Sequence, residues 1–272
     1  MFAADYAAIL EHTTPYVISF RGNWSALDFQ PWGIDIPDTH RFCPTRLATR
    51  DVVEGLHHLD RFSFGPQAML MPRWVLYDCG EFPGIVTGFG VPAAALPDPV
   101  REAYHVEHRP DAFVPLSMWV AVPTARPGGW FGHNLSSANL IMPNRPLPGL
   151  GTLTKALGLG VTRVKQQYGA TQWGSRSLHV HLHFGDLHLL SAFTPAHTHA
   201  ATFTYRLDVD PTAVRASLAP GWQRPMTAPT MEFAADDGEA ILDLHARIEA
   251  GEDLRLLWTE AREGRKPWML VG

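Results

Sequence analysis

The chain has 272 residues, 46% of them hydrophobic and 18% charged, with a formal charge of −5. That composition belongs to a globular protein with a sizeable core and excludes a largely disordered chain. The acidic balance and the lack of any Lys/Arg run argue against a nucleic-acid partner. Its two cysteines, Cys43 and Cys79, are widely spaced, so neither a disulfide framework nor a thiolate zinc site is expected, and a reducing cytoplasm is the simplest location. The N-terminus carries Asp5 and Glu11 instead of a basic leader, and no run approaches the ~20 apolar residues of a membrane span, so no membrane partner is expected. The 23 prolines are spread from Pro15 to Pro267 without a long polar linker, which predicts one interwoven domain over residues 1–272.

In chain order, a short helix is predicted over 5–10, ending before Pro15. A clearer helix covers 49–62, with Thr49 as its cap, Asp51 in the first turn, and Val52, Leu56 and Leu59 at helical spacing. Strands are expected over 67–78, 84–91 and 115–123. The segment GGWFGHN, 128–134, reads as a Gly-rich turn presenting His133 and Asn134, because glycines let backbone approach a ligand closely. A helix follows over 150–164, in spite of three internal glycines that each cost ~1 kcal/mol against alanine.

Beyond that helix the period changes to two. Residues 173–184 alternate, putting Leu178, Val180, Leu182 and Phe184 on one face and His179, His181 and His183 on the other. Gly185-Asp186 would close a hairpin whose second strand is 187–193. A strand over 199–210 and a helix starting at Pro211 or Thr212 come next, then a helix over 239–250, a candidate helix over 253–262 and a last strand over 266–271. The pattern predicts an α+β fold: a curved antiparallel sheet or partial β-barrel flanked by helices. No GxGxxG or P-loop is present, so nucleotide cofactors are not expected, and no other cofactor is implied.

The histidine strand admits two readings. Two or three imidazoles on one face, completed by His188, His197 or His199, would make a metal enzyme, whereas a solvated strand face is polar anyway. No acidic partner stands at an obvious position, and no metal ligand set is assigned. The serines lie in no GxSxG elbow, and Cys79 reads as a small buried hydrophobe.

Lys155 is the sharpest candidate. It is the only charge between Arg145 and Arg163, flanked by Leu153, Thr154, Ala156 and Leu157. A lysine in such a setting either snorkels to water or is desolvated into a nucleophilic amine. From about Pro115 to His197 the order of features resembles the acetoacetate decarboxylase family: an apolar strand, the turn Gly132-His133-Asn134, the run Leu135-Ser136-Ser137-Ala138, then Thr154-Lys155-Ala156-Leu157-Gly158. In that family the turn reads Gly-Arg-Glu, and the first of two adjacent lysines forms a Schiff base with a substrate ketone. The resemblance implies Lys155 as nucleophile, with Ala156 in place of the second lysine and Glu81 as the nearest acidic counterpart.

On this reading the protein is a Schiff-base lyase for a small oxo acid or ketone, with decarboxylation, aldol or dehydration chemistry. His133 would carry protons and Asn134 would donate to the substrate oxygen. Arg73 would meet a substrate carboxylate, and Trp119, Gln172 and Trp173 would line the cavity. Two alternatives stay open: a non-catalytic protein that binds a hydrophobic small molecule among its nine tryptophans, and the histidine-ligated metal enzyme. A homo-oligomer is compatible with either.

Overall fold

A computed structural model describes residues 1–67, 69–76, 84–142, 147–197, 199–225, 227–260 and 267–272. The chain forms two compact units: Met1–Arg126, Gly132–Arg163 and Leu218–Pro220 in the first, and Pro127–Phe131, Val164–Ser217 and Gly221–Gly272 in the second. Helices and sheet strands occur in both, giving an α+β fold.

The first unit runs α1 (Ala4–His12), β1 (Thr14–Ile18), β2 (Arg41–Phe42), α2 (Arg50–Phe64), β3 (Ile85–Pro92), α3 (Asp98–Ala103), β4 (Phe113–Pro115), β5 (Ser117–Pro123), β6 (Gly129–Ser137) and α4 (Leu150–Val161). The first three residues of β6 are counted with the second unit. The strands lie in the order β6-β5-β3-β1-β2, with β4 also on β3. β3 meets β1, β4 and β5 antiparallel, while β1 and β2 are parallel. The sheet is therefore mixed and not purely antiparallel as expected. β3, IVTGFGVP, is buried along almost its whole length, as a central strand with both faces covered should be. Gly88 within it is obligatory, because a Cβ there would lie 2.0 Å from the Ser117 carbonyl oxygen.

Helix α2 is amphipathic as expected, burying Val52, Gly55, Leu56 and Leu59, but its stripe also includes Asp60. Thr49 precedes α2 without capping it; its hydroxyl donates to the Cys43 carbonyl at 2.6 Å. The strand expected over 67–78 is not one in its described part. Residues 73–76 are helical, Pro72 has no N–H to offer a ladder, and the Met71 N–H donates to the Asp60 carboxylate at 2.8 Å. The Gly-rich turn of 128–134 is also corrected. Gly128, at φ +77°, ends the turn, and Trp130-Phe131 open a strand that suits aromatic residues, so His133 and Asn134 stand on β6.

The second unit continues with β7 (Gln166–Gln172), α5 (Leu178–Leu182), β8 (Leu187–Ser191), β9 (Thr202–Asp208), α6 (Pro211–Ser217), β10 (Met231–Ala234), α7 (Gly238–Glu249), β11 (Arg255–Glu260) and β12 (Trp268–Val271). Its strands are ordered β10-β12-β11-β8-β9-β7, with every neighbour antiparallel. Trp173 anchors its core, with its ring centroid 4.2 Å from that of Phe203 and 5.3 Å from that of Phe233.

Two expectations fail here. Residues 178–182 are helical, because Leu178, His181 and Leu182 also satisfy helical spacing and all are buried. Gly185-Asp186 consequently leads from a helix into β8 and closes no hairpin. Residues 255–260 form a strand and not a helix, with Leu256 paired to both Val271 of β12 and Leu187 of β8; tertiary pairing decides where local pattern was ambiguous. Among the described residues no helix is long and apolar enough to cross a membrane.

Candidate functional site

Helix α4 lies mainly on β3 and β5, and three local devices hold it there. The Thr154 hydroxyl sits 2.7 Å from the Leu150 carbonyl and 2.6 Å from Ser117 Oγ, tying the helix to β5. Gly158 admits the Trp119 indole so closely that a Cβ would stand 2.0 Å from Trp119 Cε3. On another side Trp32 Nε1 donates to the Ala156 carbonyl at 2.8 Å. All α4 residues except Gly151 are buried.

Within that helix Lys155 has 0% of its surface exposed. Desolvation pushes its pKa well below the ordinary lysine value, because an ammonium loses most when water is removed. The amine is thereby biased toward its neutral, nucleophilic form. The chemistry this permits is addition to an electrophilic carbonyl carbon.

A second buried ionisable group is Asp60, which sequence reasoning missed. Its carboxylate accepts from the Met71 N–H and, at 2.9 Å, from Asn134 Nδ2. Asn134 Oδ1 in turn accepts from the Ser136 hydroxyl at 3.1 Å. Burial raises the Asp60 pKa, while the two donors and neighbouring His133 oppose that rise. The signal was present in the sequence: Asp60 follows Val52, Leu56 and Leu59 on the buried stripe of α2, a position that ordinarily takes an apolar residue.

The other candidates fall as follows. His133 is at an exposed position of β6; partial desolvation lowers its imidazole pKa and Asp60 opposes the shift. Asn134 directs its amide at Asp60. Arg73 is a surface residue paired with Glu54, Trp119 is buried against α4, and Glu81 and Cys79 lie outside the described residues. Gln172 and Trp173 belong to the second unit, where Gln172 pairs with Thr202 and Trp173 Nε1 donates to the Ala192 carbonyl at 2.7 Å. The structure thus brings Trp119 to the lysine helix and Asn134 to Asp60.

His179, His181 and His183 share no strand face, since α5 is a helix. His181 packs its ring 5.4 Å from that of Tyr205, and His183 Nε2 is 3.2 Å from the Ser217 carbonyl. His188 turns one ring nitrogen to Asp253 at 3.0 Å and the other to Asp208 at 3.3 Å. Among the described residues no group of three or more His, Cys, Asp or Glu is arranged to hold a metal. An open groove of about 470 Å³ in the first unit is lined by Phe42, Asp51, Val52, His108, Arg109 and Phe113 among others. It shares no lining residue with α4, and the Arg109–Asp51 ion pair joins two of its walls.

No protein-family model matches this chain, and no curated protein does. What the chain does is therefore argued from α4 and its surroundings.

Proposed function

We propose that the protein is an enzyme acting on a small oxo acid or ketone through a Schiff base at Lys155. The observation that carries this reading is the complete burial of a lysine within an otherwise uncharged helix. The neutral Nζ attacks the carbonyl carbon, and the oxygen leaves as water after taking up protons. The resulting iminium withdraws the electron pair of a neighbouring bond, releasing carbon dioxide, a proton or an aldol fragment. His133, with its pKa lowered, is neutral near pH 7 and acts as proton carrier, and Asn134 acts through Asp60. The acetoacetate decarboxylase-like ancestry, the curved or partly closed sheet that goes with it, a single functional domain and a cytoplasmic location all belong to this reading.

The test is mass spectrometry after borohydride reduction with a panel of oxo acids and ketones, comparing the wild type with Lys155→Ala. An adduct mapping to Lys155 and missing from the variant is expected. Absence of any adduct favours the second reading, a hydrophobic small-molecule binder on the same scaffold, for which Ala156 in place of a second lysine is the supporting observation. A histidine-ligated metal enzyme is not proposed.

A further inference from the structure

Two histidines of the first unit lie together away from α4. His58 stands on α2, and His105 follows Tyr104, the residue that caps the C-terminus of α3. Their ring centroids are 4.9 Å apart, with 63° between the ring planes. His105 is exposed and His58 half-buried. The backbone of His105 is left-handed, at φ +55°. Its N–H donates to the Glu102 carbonyl and the Val106 N–H to the Arg101 carbonyl, both at 3.0 Å, which closes the end of α3. A residue in that place is ordinarily glycine, because a Cβ is disfavoured there. The cap therefore gives no reason for an imidazole. Tyr104 fixes where the ring stands: its hydroxyl donates to the Pro115 carbonyl of β4 at 2.9 Å, and its own ring lies 5.4 Å from Phe62 and 6.1 Å from His58 of α2.

Two imidazoles bound through nitrogen to one ion at ~2.0–2.1 Å, with ~90–110° between the bonds, have centroids about 4.5–5.2 Å apart. The spacing of His58 and His105 falls within that range. Another close pair, His197 and His199 of the second unit, does not fit. Its centroids are 6.0 Å apart, and His197 Nδ1 accepts from the His199 N–H at 3.0 Å. A histidine ligand must be neutral. Partial burial pushes the His58 imidazole below its usual value, and His105, Arg61 and Arg73 add to this against the opposing Glu54. The charge of Arg73 is itself offset by its pair with Glu54. Imidazole nitrogens suit first-row transition ions, whereas Mg²⁺ and Ca²⁺ take oxygen ligands.

The geometry points to a binding site for one divalent first-row transition ion, held by His58 and His105 with water at the remaining positions. Cu²⁺ binds it more tightly than Zn²⁺, as the general order of affinities requires. The ion joins α2 to the end of α3. This site is separate from Lys155 and does not depend on the Schiff-base reading.

Calorimetric titration of the tag-free protein with Cu²⁺, and separately with Zn²⁺, tests the site in the wild type, His58→Phe and His105→Gly, with His197→Gln as control. His58→Phe keeps a ring against Tyr104, and His105→Gly gives the cap its customary residue, so both variants should fold. The expected result is that each weakens the tightest site by about tenfold or more, one decade in Kd, while His197→Gln leaves it unchanged. Pulsed EPR of the wild type with one equivalent of Cu²⁺ should show two imidazole nitrogens, a readout that needs no variant. Fewer than two imidazoles, a smaller loss in either variant, loss in His197→Gln, or no binding of either ion overturns the proposal.

Discussion

Helices α2 and α4 of the first unit pose the same physical problem in two forms. Each carries one buried ionisable group, Asp60 or Lys155, and each has one glycine pressed against side chains of a strand, Gly55 on Pro115 of β4 and Gly158 on Trp119 of β5. Around Asp60, a backbone N–H and an amide are aimed at the carboxylate. Around Lys155, the adjoining strands supply no charge, and desolvation dominates. A charge held by fixed donors ties α2 to β6 and to the segment at Met71. An amine stripped of water is disposed to react instead.

Six substitutions at five positions would break or sharpen that contrast. The largest effect is expected from Trp119→Ala, which removes the aromatic wall under α4 and should cost roughly 3–5 kcal/mol in urea unfolding. Next, Asp60→Ala strands two buried donors, at about 1–3 kcal/mol each at most; Asp60→Asn, which keeps one acceptor, should cost less than the alanine variant. Equal losses for the two would mean that the carboxylate's bonds do not hold α2.

Gly158→Ala should destabilise by about 1–3 kcal/mol through overpacking on the indole. Gly55→Ala should cost less, since its Cβ would meet Pro115 Cδ at 2.6 Å, not the 2.0 Å found at Trp119, and both variants regain ~1 kcal/mol of helix propensity. The reverse order, read from the same urea unfolding curves, would show that α4 is the looser of the two. Finally, Glu54→Gln should change stability by only about 0–1 kcal/mol, because its pair with Arg73 is solvent-exposed. A larger loss would give the residues around Arg73 a role that surface pairing does not explain.

Much of this contrast could be read from sequence, and the failures have physical causes. α2 and α4 stood out because apolar residues recur at helical spacing over many residues, and β3 and β5 because β-branched and aromatic residues run together. Residues 178–182 were misread because five alternating residues fit both periods when the segment is so short. Residues 255–260 were misread because their partners, β8 and β12, are distant in sequence. Lys155 drew notice as a lone charge among apolar neighbours. Asp60 did not, although it stands at helical spacing from Val52 and Leu56, because an acidic residue near the end of an amphipathic helix is ordinarily solvated; here the Met71 N–H and Asn134, both outside the helix, make it a buried acceptor. The reading of Glu81 concerns a residue outside those described.

The central claim is that Lys155 is a desolvated amine, and titration of that amine tests it most directly. The chain has only three lysines, Lys155, Lys165 and Lys266, so ¹³C labelling of lysine Cε gives a simple spectrum in which Lys155→Met assigns the resonance of interest. We predict that the Lys155 signal titrates well below the ordinary lysine range while the protein remains folded. A Lys155 signal titrating in the ordinary lysine range would contradict the account.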